Sequence, residues 1–303
     1  MKSITFDKRT SPSSGLHLNG SLKGKKILQI ILRYVVLAIV GFIFIFPFIY
    51  MFLSSLKPQA EIFQYAFPLS WKTLIPQTWT LENFVELINL LPYSFLRYLG
   101  NSIFVAIACT FGSLIINATA AYAFAKLNFP AKNILFGLFL ITMMVPFEVL
   151  AIPLYLEMRT FNWIDSYEAL IIPWIANASG IFLLRQFFTE MPKDLLDAAR
   201  IDGCNYLSTF WYVVIPNSIP ALITFSLIRF QASWDSFIWP LIVTPSPEKR
   251  LVQVAIATFT TEVDTRWGLA FGASVMATLP ILITFLVFQR YYVKGVMMSG
   301  LKG

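Results

Sequence analysis

Charge and thiols are scarce in this chain, and each shortage removes a class of function. Of 303 residues, 13% are charged, about half the share usual in a soluble domain. Most of the folded surface must therefore meet something other than water. Cys109 and Cys204 are the two cysteines and His17 the one histidine. A zinc site or a Cys/His nucleophile pair needs more of both. Cys109 lies in an apolar run and Cys204 in a polar one, which argues against a disulfide between them. The stretch closest to a nucleotide-binding loop, GlySerLeuLysGlyLysLys at 20–26, has the wrong spacing and no Ser or Thr after its lysine. No catalytic residue, metal ligand or cofactor is expected.

What is abundant is apolar: 57% of residues are hydrophobic and the mean hydropathy is +0.68. They fall into six stretches, 27–53, 101–124, 134–156, 169–188, 213–243 and 269–288, each near the roughly 20 residues that carry a helix across ~30 Å of hydrocarbon. The expected fold is an all-α integral membrane protein with six transmembrane helices. Residues 1–26 read as a polar tail and 27–303 as the membrane domain. The first stretch is too long, and too far from the amino terminus, for a cleaved signal peptide. Lys and Arg between the stretches, with Arg185 near the end of the fourth counted with the segment that follows it, divide fourteen to seven in favour of the side holding the amino terminus, which places both termini in the cytoplasm. The tail carries that bias, for without its six the division is eight to seven. Trp163, Trp239 and Trp267 then fall near outer boundaries and Trp211 near an inner one. The net charge of +7 is dispersed between apolar runs, which favours membrane topology over nucleic acid.

Small residues in the second stretch, among them Ala106, Gly112, Ser113, Ala118 and Ala121, allow close helix packing. Pro146, Pro153, Pro173, Pro216, Pro220 and Pro280 interrupt or border the stretches, which is tolerated where neighbours or a cavity satisfy the freed backbone. Glu148, Asn177, Arg229 and Asp235 lie at membrane depth. A charge there costs at least ~2.5–3.5 kcal/mol on insertion scales, so it meets a partner or a water-filled path. Two readings stand side by side: a polar lining for a hydrophilic substrate, or structural pairs of Arg229 with Asp235 or Glu148. Arg229 and Asp235 are six residues apart, about 120° around one helix, so partners on other helices are expected. Trp234 and its neighbours in SerTrpAspSerPheIleTrpPro, 233–240, offer aromatic faces suited to a sugar ring.

Residues 189–206 carry the sharpest signal. Pro192 and Asp194 suit the first turn of a helix. Leu195, Ala198, Ala199 and Asp202 recur at helical spacing. Gly203 can end that helix in the left-handed conformation, and Asn205 can cap the next. A lipid-surface helix would set bulky apolar residues against a basic face; this Ala-rich face with mixed charges suits a protein cleft instead.

AspAlaAlaArgIleAspGly at 197–203, with ValIlePro at 214–216, resembles the EAA motif of permease subunits of ABC importers. The leading Glu is Asp197 here, which keeps the carboxylate and shortens its reach. PheProPheIleTyrMetPheLeuSerSerLeuLys at 46–57, AsnSer at 101–102, AlaAlaTyrAlaPheAlaLysLeuAsnPhePro at 120–130 and PheLeuLeuArgGlnPhePhe at 182–188 are similar to carbohydrate-type permeases. So are residues 233–242 and GlnArgTyrTyrValLysGly at 289–295, although Asp235 stands where relatives commonly carry Asn. The closing GlyLeuLysGly resembles the end of the maltose-type second permease subunit.

The resemblance implies a MetI-like permease fold, and a coupling loop at about 189–212 that docks on an ATPase through Asp197, Ala198, Ala199, Asp202 and Gly203. It also implies a homologous permease subunit, two ATPase subunits, an extracytoplasmic solute-binding protein and a sugar-like substrate. Glu148, Asn177, Arg229, Trp234 and Asp235 are the candidates for the substrate pathway. The rival reading is an ion-gradient-driven secondary transporter, with Glu148, Arg229 and Asp235 as a relay; it leaves the 189–206 loop unexplained.

Overall fold

The computed structural model describes residues 19–300 apart from 69, 91 and 261–264, with side chains described from 27 to 290. The polar tail up to residue 18, with His17, and the last three residues of the closing GlyLeuLysGly lie outside the described residues. The chain divides into two units, Met1–Tyr50 and Met51–Gly303. The described part of the first belongs to α1 (Asn19–Ser55). After Arg33 this helix is apolar around its whole circumference from Tyr34 to Leu53, as a membrane-spanning helix must be.

The second unit is built around α3 (Phe95–Lys126), preceded by the short α2 (Glu82–Ile88). The descent from α1 to α2 is pinned by two buried charged groups. The Lys57 ammonium donates to the Thr73 carbonyl at 2.7 Å, and the Glu61 carboxylate accepts from the backbone N–H groups of Gln77 (2.6 Å) and Thr78 (3.0 Å). Burial lowers the pKa of Lys57, and the nearby Glu61 charge works in the opposite direction.

Among the described residues, three helices are long and apolar enough to cross a membrane: Ile27–Ser55, Phe95–Lys126 and Trp267–Arg290, the last within α14 (Trp267–Gly300). The other three expected spans are not straight helices. The third consists of α4 (Lys132–Thr142) and α5 (Phe147–Thr160), bent by 99°. Pro146 holds an extended backbone (φ −66°, ψ 142°) at the corner, and a proline disfavours helical geometry in the residue before it. The fourth joins α6 (Tyr167–Ile171) and the tight turn Ile172–Trp174 to α7 (Ala178–Glu190) with a 42° bend.

The fifth expected span, 213–243, is divided further. After α8 (Lys193–Ile201) come α9 (Tyr206–Thr209), a wide π-type turn (Phe210–Val214) and α10 (Ile215–Asn217). An 81° bend leads into α11 (Ile219–Trp234), and α12 (Ile238–Val243) follows a second break. Pro216 and Pro220 stand in the first turns of α10 and α11, where a missing donor is tolerated and a new helix begins, whereas Pro47, Pro153 and Pro280 lie within continuous helices. The helix α13 (Val252–Ala257) then returns the chain to α14.

The breaks are held by buried polar side chains spaced along α3. Asn117, fully buried, donates to the carbonyls of Ser113 (2.8 Å) and Ile175 (3.1 Å) and accepts from the N–H of Asn177 (3.1 Å). Ser113 donates to the Trp174 carbonyl at 3.1 Å. At the other end, Asn101 donates to the carbonyls of Glu248 (2.9 Å) and Arg250 (3.1 Å), and Ser102 accepts from Val252 N–H (2.8 Å). Close approach is also needed: a Cβ at Gly180 on α7 would sit 2.5 Å from the Phe225 ring on α11.

Replacing Asn117 with Leu keeps the branching and heavy-atom count of the side chain and strips the break at 175–177 of its partners. We expect a loss of about 1–3 kcal/mol for each backbone group left bare. Thr119→Ala, on the exposed face of the same helix, should stay within about 0.5 kcal/mol. Detergent-solubilised protein unfolded by heat or SDS reads the difference; equal midpoints for the two variants would contradict the role given to Asn117.

Candidate functional site

Two features stand apart from ordinary packing. The first is the loop around α8. Pro192 takes the N-cap position of α8, one residue earlier than expected, and Asp194 lies in its first turn, where its negative charge complements the helix dipole. The helix closes as the sequence predicts. Gly203 is left-handed (φ +85°), its N–H reaches the Arg200 carbonyl at 3.0 Å, and Cys204 N–H reaches Ala199 at 2.9 Å. These are the two bonds of a Schellman stop. Asn205 then caps α9 by accepting from Ser208 N–H at 2.8 Å, while the Ser208 hydroxyl accepts from Asn205 N–H at 3.0 Å.

The face of α8 divides differently from the expectation. Leu196 and Ala199 are buried, Leu196 in a cluster with Phe188, Phe210 and Val214. Ala199 is therefore turned into this chain and not outward. Leu195, Ala198 and Asp202 are exposed, and Asp197 pairs loosely with Arg200 at 3.5 Å on the surface. Beside them Ile201 is 86% exposed and Tyr212 77%, together with Tyr206, Leu207 and Trp211. The outward surface is thus broader and more aromatic than the Ala pattern alone indicates. The π-type turn at Phe210–Val214 shifts the helical register there, which sequence periodicity does not show.

The second feature is a cavity of about 190 Å³ lined by the broken helices. Trp174 comes from the turn before α7, Arg229 and Ser233 from α11, Ser236 from the α11–α12 break and Trp239 from α12. Trp239 is buried and donates from its indole N–H to the Ala169 carbonyl at 2.9 Å, so it is a wall of the cavity and not a boundary tryptophan. It meets Trp174 edge-on at 6.1 Å, and Phe147 at the start of α5 packs against both. Arg229 Nε donates to the Ser113 hydroxyl at 3.2 Å.

The five pathway candidates do not converge. Arg229 lines this cavity. Glu148 is exposed in the first turn of α5, where a carboxylate suits the helix dipole. Asn177 is the N-cap of α7, accepting from Gly180 N–H at 2.7 Å, and so serves the bend. Trp234 is 1% exposed within the core cluster of Leu87, Phe95 and Leu269, stacked on Phe230. Asp235 is exposed at the end of α11. No hydrogen bond or ion pair among the described residues joins Arg229 to Glu148 or Asp235. Ser233, Ser236 and Trp239 fall within the 233–240 run that the sequence offers as an aromatic face suited to a sugar, whereas Trp174 has no signal in the sequence beyond the proline beside it in IleProTrp, 172–174.

Comparison with known proteins agrees with this architecture. The chain is 33% identical over 266 residues to the arabinooligosaccharides transport system permease protein AraQ of Halalkalibacterium halodurans, covering 88% of this chain and 94% of that one. It is 30% identical over 273 residues to the sn-glycerol-3-phosphate transport system permease protein UgpE of Yersinia pestis, covering 87% and 95%. A chain from the crystal structure of a bacterial ABC transporter involved in import of the acidic polysaccharide alginate shares the fold. Its TM-score is 0.76 at 24% identity, over 93% of this chain and 100% of that one. Residues 113–297 match the family described as "Binding-protein-dependent transport system inner membrane component", and the chain belongs to that family: it is a multi-pass inner-membrane permease subunit of an ABC importer.

Proposed function

We propose that this permease, paired with a homologous permease subunit, forms the translocation pathway for a sugar or related polyol, and that the α8–α9 loop couples that pathway to two separate ATPase subunits. The substrate class follows the relatives, whose names give arabinooligosaccharides and sn-glycerol 3-phosphate. An extracytoplasmic solute-binding protein delivers it, as the family description indicates.

The observation that carries the coupling role is the construction of the loop. A Schellman stop at Gly203 and a capping box at Asn205 and Ser208 fix two short helices in one angle. Leu196 and Phe210 anchor that unit to the body, while Leu195, Ala198, Ile201 and Asp202 are left facing out. A rigid unit tied to the bundle on one face transmits displacement from a partner docked on the other. The ion-gradient alternative needs Glu148, Arg229 and Asp235 to act together, and two of these side chains are exposed away from the third.

The space around Gly203 is open, with nothing within 4 Å of an added Cβ, so substitutions there act through φ and not through a clash. Gly203→Ala should cost about 1–2 kcal/mol locally and uncouple ATP hydrolysis from transport, whereas Gly203→Asn, which tolerates the left-handed region, should retain most coupling. ATPase activity stimulated by the loaded binding protein, compared with uptake, separates these outcomes. Normal coupled transport by the Gly203→Ala and Gly203→Leu variants would sink the docking role.

Orientation has its own test. In a background with both Cys109 and Cys204 replaced by Ser, single cysteines placed in 60–90 should react with an impermeant maleimide from outside intact cells. Those in 189–206 should react only after the membrane is opened; the reverse pattern overturns the assignment of the loop to the cytoplasm.

A further inference from the structure

We infer that the cavity holding Arg229 is a station for an acidic group, a carboxylate or phosphate, carried by the sugar-like substrate. This rests on the reading of the chain as a sugar permease and narrows the substrate to anionic carbohydrates.

Arg229 is the single charged residue among the ten that line the cavity. Its hydrogen bond among the described residues runs from Nε to the neutral hydroxyl of Ser113, at 3.2 Å. No ion pair among the described residues reaches it, and the two carboxylates nearest in sequence pattern, Glu148 and Asp235, are exposed outside the cavity. A guanidinium at membrane depth is met by a counter-charge or by a water-filled path, and a cavity that supplies it no carboxylate of its own leaves Arg229 open to an anion from outside this chain. With Nε committed to Ser113, the terminal amino groups of the fork remain to grip two oxygens of one carboxylate or phosphate.

The other walls select what carries the acid. Trp174 and Trp239 present aromatic surface, fixed by the Trp239–Ala169 hydrogen bond and by Phe147 behind them. Ser233 and Ser236 add hydroxyls from the same side as Arg229. Aromatic faces take the C–H face of a sugar ring, and hydroxyls take its rim. A volume of about 190 Å³ lies below the ~300–1,000 Å³ of pockets that enclose a whole drug-sized ligand. The cavity therefore accepts one acidic sugar unit or phosphate-bearing head at a time.

The test uses the permease–ATPase complex in nanodiscs without binding protein, titrated with glucuronate against glucose and with sn-glycerol 3-phosphate against glycerol. Tryptophan fluorescence is the readout, and Trp174→Phe assigns the signal to the cavity. At least one anion should quench saturably at concentrations where its neutral counterpart does not, and which anion does so names the acidic group. Arg229→Gln should weaken that binding at least about tenfold, the loss of one charge-assisted contact, while Arg229→Lys loses less. Equal binding of anions and neutral sugars, or no effect of Arg229→Gln, overturns the inference. If Arg229→Gln fails to assemble and Arg229→Lys assembles without binding either anion, Arg229 pairs with an acid of the neighbouring permease and the inference is again overturned. ATP-driven uptake by the importer with its binding protein is measured in parallel. Uptake of neutral sugars alongside either overturning result leaves the sugar-permease reading intact, whereas no uptake of any carbohydrate removes both.

Discussion

Backbone groups freed inside a membrane must find partners within the protein, because hydrocarbon offers none. In this permease that demand falls on α3. Its helix is unbroken for 32 residues, and the elements packed on it are interrupted by turns. Asn101, Ser102, Ser113 and Asn117, spaced along it, hydrogen-bond to backbone groups of the neighbouring segments, at 174–177 and 248–252. The small residues Ala106, Ala118 and Ala121, all buried, bring the neighbours close enough for those bonds to form.

The same arrangement creates the polar cavity. Straight helices would leave only apolar surface between them. Bending the fourth span at 174–177 and dividing the fifth at 235–237 instead turns Trp174, Ser236 and Trp239 toward a shared space. Ser113 links the two roles, since its hydroxyl donates to the freed Trp174 carbonyl and accepts from Arg229. The contact that satisfies the break also orients the one charge in the cavity.

The coupling loop shows how much local chemistry a sequence can carry. Gly203 and Asn205 were readable as a stop and a cap because each acts on bonds within five residues, and both occur as read. The face of α8 was less legible. Leu195, Ala198 and Ala199 share a helical stripe, yet only Ala199, with Leu196, turns inward, because the inward direction is set by Phe188, Phe210 and Val214 from distant segments. Trp234 and Asp235 make the same point: adjacent residues in an aromatic run, one in the core and one exposed.

Sequence by itself determined that the chain lives in a membrane and is helical, through the low charge and the six apolar stretches, since the hydrophobic effect reads composition and length directly. It also determined the stop and cap of the loop and the motif that resembles other permeases. Only the tertiary structure decided which apolar stretches are bent and which are straight, and that Arg229 faces a cavity while Glu148 and Asp235 do not. A proline announces that a hydrogen bond is lost, but the direction of the bend, and whatever it brings together, depends on which neighbour supplies the replacement bond. Here that neighbour is Asn117 of α3, 58 residues from the carbonyl it satisfies.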